Sequence, residues 1–74
     1  MRFQVGFMRE EILKLHSGDC YVVPESDYGK AEIWKIHDTY LLFEIPIYGG
    51  NPRFFAGYSK MRIDDMIKEI NSWT

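Results

Sequence analysis

The feature that most restricts what this chain can fold into is a change of apolar period at Ser59. Between Ala31 and Tyr58 the apolar residues alternate or run together in a stretch rich in Tyr, Phe, Trp and Ile, as strands prefer. After Ser59 they recur at Ile63, Met66, Ile67, Ile70 and Trp73, the spacing of one helix face. The switch predicts a β-hairpin, a third strand and an amphipathic helix, in that order. Ser59 is the expected N-cap of that helix, its hydroxyl accepting from an orphan amide at a gain of about 1 kcal/mol. Asp64 and Asp65 then meet the positive end of the dipole.

Upstream, Met8, Ile12 and Leu15 fall at helical spacing, with Val5 and Leu13 near the same stripe, and predict a first helix over 6–16. Arg9, Glu10 and Lys14 take the opposite, solvated side, where Glu10 and Lys14 stand four apart. His16 belongs to the last turn, and Gly18 can adopt the left-handed conformation that ends a helix. A short edge strand over 20–23 follows, closed by Pro24, which has no amide to give a continuing ladder. The polar stretch 25–30 reads as a loop. The expected fold is a single α+β domain over 1–74: a small two-layer sandwich with a three- to four-stranded, mostly antiparallel sheet and two helices on one face, in the order α-β-β-β-β-α.

Register decides which side chains face those helices. With His37 and Asp38 as a two-residue turn, Ile36 opposes Thr39, Lys35 opposes Tyr40, Trp34 opposes Leu41, Ile33 opposes Leu42 and Glu32 opposes Phe43. One face then carries Trp34, Ile36, Leu41 and Phe43, continuing to Ile45 and Ile47. The other carries Ile33, Lys35, Tyr40, Leu42 and Glu44. The first is the more apolar and is the expected core face. The turn-rich stretch 48–52, centred on Gly50, pairs Ile45 with Phe55 and Leu42 with Tyr58, and sends Phe55 to the core but Phe54 and Tyr58 outward. The expected core is Trp34, Phe43, Ile45, Phe55, Ile63, Ile67 and Ile70.

At 74 residues the chain has room for one core, and at 46% hydrophobic content it can fold without disulfides, with a modest stability that self-association would raise. The formal charge of −2 opposes the basic footprint that binding a phosphate backbone requires. A lone cysteine, Cys20, forms no internal disulfide, which points to a reducing compartment. Arg9, Glu10 and Glu11 stand where a signal peptide would be apolar, and no stretch reaches the length of a membrane span. The cytoplasm is the expected location, with no membrane partner.

No catalytic, cofactor or metal motif stands out. His16, Cys20 and His37 lack the matched spacing of a four-ligand site, and the interval from His16 to Cys20 crosses a helix end. Cys20, in an apolar strand, reads as a small inert hydrophobe rather than a nucleophile. The adjacent pairs Glu10-Glu11 and Asp64-Asp65 point about 100° apart on a helix and do not share a ligand. Gly49-Gly50 lacks the following helix and GK[ST] sequence of a phosphate loop. No enzymatic activity or cofactor is expected.

What remains is surface. The outer sheet face, with Lys35, Tyr40, Leu42, Phe54 and Tyr58 as its candidate interaction residues and Ile33 and Arg53 beside them, has the aromatic and basic mixture enriched at interfaces. The expected role is a small non-enzymatic protein-interaction or adaptor module, its partner another protein or a second copy of the chain. The alternative is a nucleic-acid-associated accessory protein. In that reading Arg53, Lys60 and Arg62, interleaved with Phe54, Phe55 and Tyr58, form a platform for single strands.

Overall fold

The structure, a computed structural model, describes residues 5–26, 29–46 and 50–73. Its elements are α1 (Val5–Leu13), β1 (Cys20–Ser26), β2 (Gly29–Ile36), β3 (Thr39–Pro46), β4 (Arg53–Ser59), a 3₁₀ turn (Lys60–Arg62) and α2 (Ile63–Asn71). The strands form one antiparallel sheet in the order β1-β2-β3-β4, so each is hydrogen-bonded to its neighbour in sequence and no crossover is needed. The fold is α+β in the order expected.

The β2/β3 hairpin has the expected register throughout, from Ile36 opposite Thr39 to Glu32 opposite Phe43. His37 sits at φ 53°, the left-handed conformation that closes so tight a turn. The stretch 17–19 is tied to the same end of the sheet. Gly18 N–H donates to the Lys35 carbonyl at 2.7 Å, Lys35 N–H to the Asp19 carbonyl at 3.1 Å, and His37 N–H to Ser17 Oγ at 3.0 Å. Gly18 reaches this position at φ 95°, as a helix-terminating glycine does.

α1 ends before the expected residue 16. Lys14 and Leu15 donate back three residues, to Glu11 and Ile12, tightening the chain out of the helix, and the His16 amide caps onto Asp19 Oδ2 at 2.9 Å. Lys14 pairs with Glu11 at 3.9 Å rather than with Glu10. β1 runs past Pro24 to Ser26. It keeps the proline because it is an edge strand whose register shifts between Val23 and Ser26, a bulge that needs no ladder amide there. Glu25 and Ser26 belong to β1 and Gly29 and Lys30 to β2, with Ser26 opposite Gly29, rather than to a loop. The side chains of Val5 and Met8, the residue Ile47 and the loop residues Tyr48 and Gly49 lie outside the described residues.

The helices lie on the opposite face of the sheet from the one expected. The core holds Ile12 from α1, Val23, Ala31, Ile33, Tyr40, Leu42 and Tyr58 from the sheet, and Ile63, Met66, Ile67 and Ile70 from α2. The α2 stripe is therefore as its period dictated, with Trp73 partly buried beyond it. Trp34, Phe43, Ile45 and Phe55, expected in the core, are exposed or only partly covered. Two properties of the covered face account for this. Ala31 and Ala56 are small and leave room for helices between the Tyr40 and Tyr58 rings, whereas the opposite face offers no such gap on β2 and β3 between Trp34, Leu41 and Phe43. Its charged residues stand at the two ends: Lys35 lays its Nζ 5.4 Å from the centre of the Tyr40 ring, and Glu44 meets Arg53 at 3.1 Å. Long stems can be covered there while the charges reach water.

β4 pairs two residues away from the expected register, with Tyr58 opposite Tyr40 and Ala56 opposite Leu42, until a bulge at Phe55 resets it to Phe54 opposite Phe43. Phe55 is thereby released from the ladder and packs edge-on against Trp73, ring centres 5.2 Å apart. Ser59 stands at the cap of the 3₁₀ turn rather than of α2, whose cap position is Arg62, and its hydroxyl makes no capping bond. The expected 1 kcal/mol from that hydroxyl does not apply. Asp64 and Asp65 do lie in the first turn of α2, and Asp64 bridges to Arg9 of α1 at 3.2 Å, a half-exposed pair worth little to stability.

Candidate functional site

Of the candidate interaction residues, Tyr40, Leu42 and Tyr58 are core residues beneath the helices. Burial raises the Tyr58 hydroxyl above its usual pKa, with Glu69 adding to the rise and Arg62, 5.3 Å above the ring, opposing it. These rings are unavailable to a partner. Lys35 is half-buried at the edge of a cleft of about 260 Å³ lined with Asp38, Tyr40, Ser59, Lys60 and Met61. Phe54 does lie on the uncovered side.

That side is the larger apolar surface. Phe54 is 59% exposed, Val22 53%, Ile36 41% and Trp34 36%. Leu41, Phe43, Ile45 and Cys20 are partly covered among them. Register puts these side chains on one face: Cys20 and Val22 oppose Trp34 and Glu32, Trp34 opposes Leu41, and Phe43 opposes Phe54. The face is locally ordered. Phe43 and Phe54 meet edge-on at 5.6 Å, and the Trp34 indole N–H donates to Glu32 Oε1 at 2.9 Å. Leu41 leans over Gly57, where an added Cβ would stand 3.6 Å from Leu41 Cδ2 and 3.3 Å from Thr39 Cγ2. A side chain at 57 would crowd Thr39 and Leu41 at the β4 edge of the face. The signal that could have found this surface was in the pattern: two apolar faces on a sheet that two helices can cover only once.

The chemistry of the described residues is sparse. No three His, Cys, Asp or Glu side chains among them gather to hold a metal ion. Burial, reinforced by Glu32, pushes the Cys20 thiol above its ordinary pKa, the opposite of what activates a nucleophile. Arg53 is occupied by Glu44, and Arg62 by Asp65 at 3.5 Å. Among the described residues no helix is long and apolar enough to cross a membrane. Comparison with family models, with curated proteins and with solved structures finds no match to this chain.

Proposed function

We propose that the protein is a non-enzymatic interaction module whose docking surface is the sheet face opposite the helices. The observation that carries this reading is the cluster of Val22, Trp34, Ile36 and Phe54 on one face, all exposed by more than a third. From typical side-chain areas the patch amounts to roughly 400 to 500 Å², the size of the largest patch found on soluble monomers, and such patches are commonly functional. Phe54, already packed on Phe43, and Trp34, already hydrogen-bonded to Glu32, lose little conformational freedom on binding, and aromatic residues dominate interface energetics. The expected location in the cytoplasm belongs to this proposal and rests on the unpaired cysteine.

The nucleic-acid reading has less support. Exposed rings on a sheet are what single strands stack on, but they need cations beside them. The charge is −2, and Arg53 and Arg62, the guanidinium groups in that segment, are held by carboxylates.

The test is capture from a lysate of the source cells with immobilised wild type and with Phe54→Glu. Phe54 is exposed enough that the variant keeps its fold, as circular dichroism can verify. The expected result is a set of proteins retained by wild type and lost with the variant. Equal retention of every protein by both would refute the reading.

A further inference from the structure

We propose that the cleft at the turn end of the sheet binds a small phosphate monoester that also carries an amine. The pairing of Thr39 with Ser59 sets the hairpin turn between β2 and β3 beside the exit of β4, and there lies the cleft of about 260 Å³. Lys35 reaches it from β2, Lys60 from the 3₁₀ turn and Asp38 from the hairpin turn, and the buried Tyr40 forms part of its wall. None of these residues belongs to the exposed cluster of Val22, Trp34, Ile36 and Phe54, so this site stands or falls apart from the docking reading above.

Charge is the first argument. Among the described residues Lys35, Lys60 and Asp38 enter no ion pair, with one another or with any other side chain, whereas Arg9, Arg53 and Arg62 each have a carboxylate partner. The lining therefore keeps two positive charges and one negative charge, in a protein whose formal charge is −2. A ligand that answers all three carries the opposite set, a phosphate dianion and one ammonium group. Lysines favour phosphate over carboxylate here: an ammonium is a point charge with rotatable donors, while a planar carboxylate is matched best by the fork of an arginine. Ser59 adds a donor, since its hydroxyl makes no capping bond and the residue lines the same cleft. Size is the second argument. The volume lies just under the roughly 300 Å³ at which pockets for drug-sized ligands begin, so the organic part is only a few atoms long. A free monoester fits the charge count better than the diester of a lipid headgroup, which carries a single negative charge.

Titration of the isotope-labelled full chain with phosphoethanolamine, followed by the amide resonances, tests the proposal. Low salt keeps the charges unscreened, and a pH of about 7.5 keeps the phosphate a dianion. Saturable shifts are expected at Lys35, Asp38, Ser59 and Lys60, with half-saturation at about 1 mM. Lys60→Ala is expected to weaken binding about 5-fold, the upper end of what an exposed ion pair contributes. Lys68→Ala removes the same charge from an exposed position on α2 outside the lining, and should bind as wild type does. Ethyl phosphate, which lacks the amine, and the glycerol diester of phosphoethanolamine, which lacks one negative charge, are each expected to bind about 3-fold more weakly than phosphoethanolamine. Asp38→Asn should abolish the preference for phosphoethanolamine over ethyl phosphate. Resonances away from the cleft report that each variant keeps its fold. No saturable shift at these amides, equal binding by Lys60→Ala and wild type, or acetate or the diester binding as tightly as phosphoethanolamine overturns the proposal.

Discussion

Leu42→Ala is expected to lower the free energy of unfolding by about 3 kcal/mol, and Tyr40→Ala by about 4 kcal/mol. Leu42 is fully buried and Tyr40 is the largest of the fully buried side chains, and both sit on the middle of the sheet where the helix layer covers them. Removing either leaves a cavity that helices held by a few contacts on each side can only partly close. A domain of this length has about 4 to 11 kcal/mol in all, so either change brings much of the population to the edge of unfolding at moderate temperature. Chemical denaturation followed by circular dichroism measures the loss. Phe54→Ala serves as the internal comparison: its ring is more than half exposed, and less than about 1 kcal/mol is expected from its partial contact with Phe43. Equal losses for Leu42→Ala and Phe54→Ala would mean that the two faces had been exchanged.

Ile67→Asp is expected to abolish the fold at neutral pH. Ile67 is fully buried on α2, and no charged residue is buried among the described residues, so the carboxylate would find no cation in a core whose polar groups are the Tyr40 and Tyr58 hydroxyls. An unpaired buried charge costs several kcal/mol even after relaxation, comparable to the whole stability of so small a domain. The far-ultraviolet spectrum of the variant should show the loss of helix and sheet together, since α2 has no independent stability at nine residues. A cooperative thermal transition within a few degrees of wild type would show that the α2 stripe does not form the core. Met61→Asp, on the exposed turn just before, should leave the transition where it was.

Much of this architecture is legible in the sequence because it is written in local chemistry. The period of Ile63, Met66, Ile67 and Ile70 defines α2 and its buried stripe, and His37 at a two-residue turn sets the β2/β3 register residue by residue. The choice of covered face is not local. Both faces are apolar enough to be a core, and Lys35 and Glu44 weigh against the true one unless their positions at the strand ends are recognised. The small residues Ala31 and Ala56, which make room for helices, carry the better signal. The bulge at Phe55 has no Gly or Pro to announce it, and the β3/β4 pairing is displaced from the expected one by three residues on the Arg53 side of the bulge and by two on the Tyr58 side, an even displacement that keeps Tyr58 on the same face as Tyr40 and Leu42. Tyr40, Leu42 and Tyr58 do share the face opposite Trp34 and Phe43, so exchanging the covered face moves the whole candidate site with it. The face expected to be the core is the one left for a partner, and Phe54 belongs to it through the bulge.

The claim on which everything rests is that α1 and α2 cover Ile33, Tyr40, Leu42 and Tyr58 and leave Trp34, Phe43 and Phe54 open. A nuclear Overhauser spectrum with labelled methyl groups tests it directly. Cross-peaks are expected from the methyls of Ile63, Met66, Ile67 and Ile70 to the Tyr40 and Tyr58 rings and the Leu42 methyls. Cross-peaks from those same α2 methyls to the Trp34 or Phe43 ring, with none to Tyr40, would contradict it.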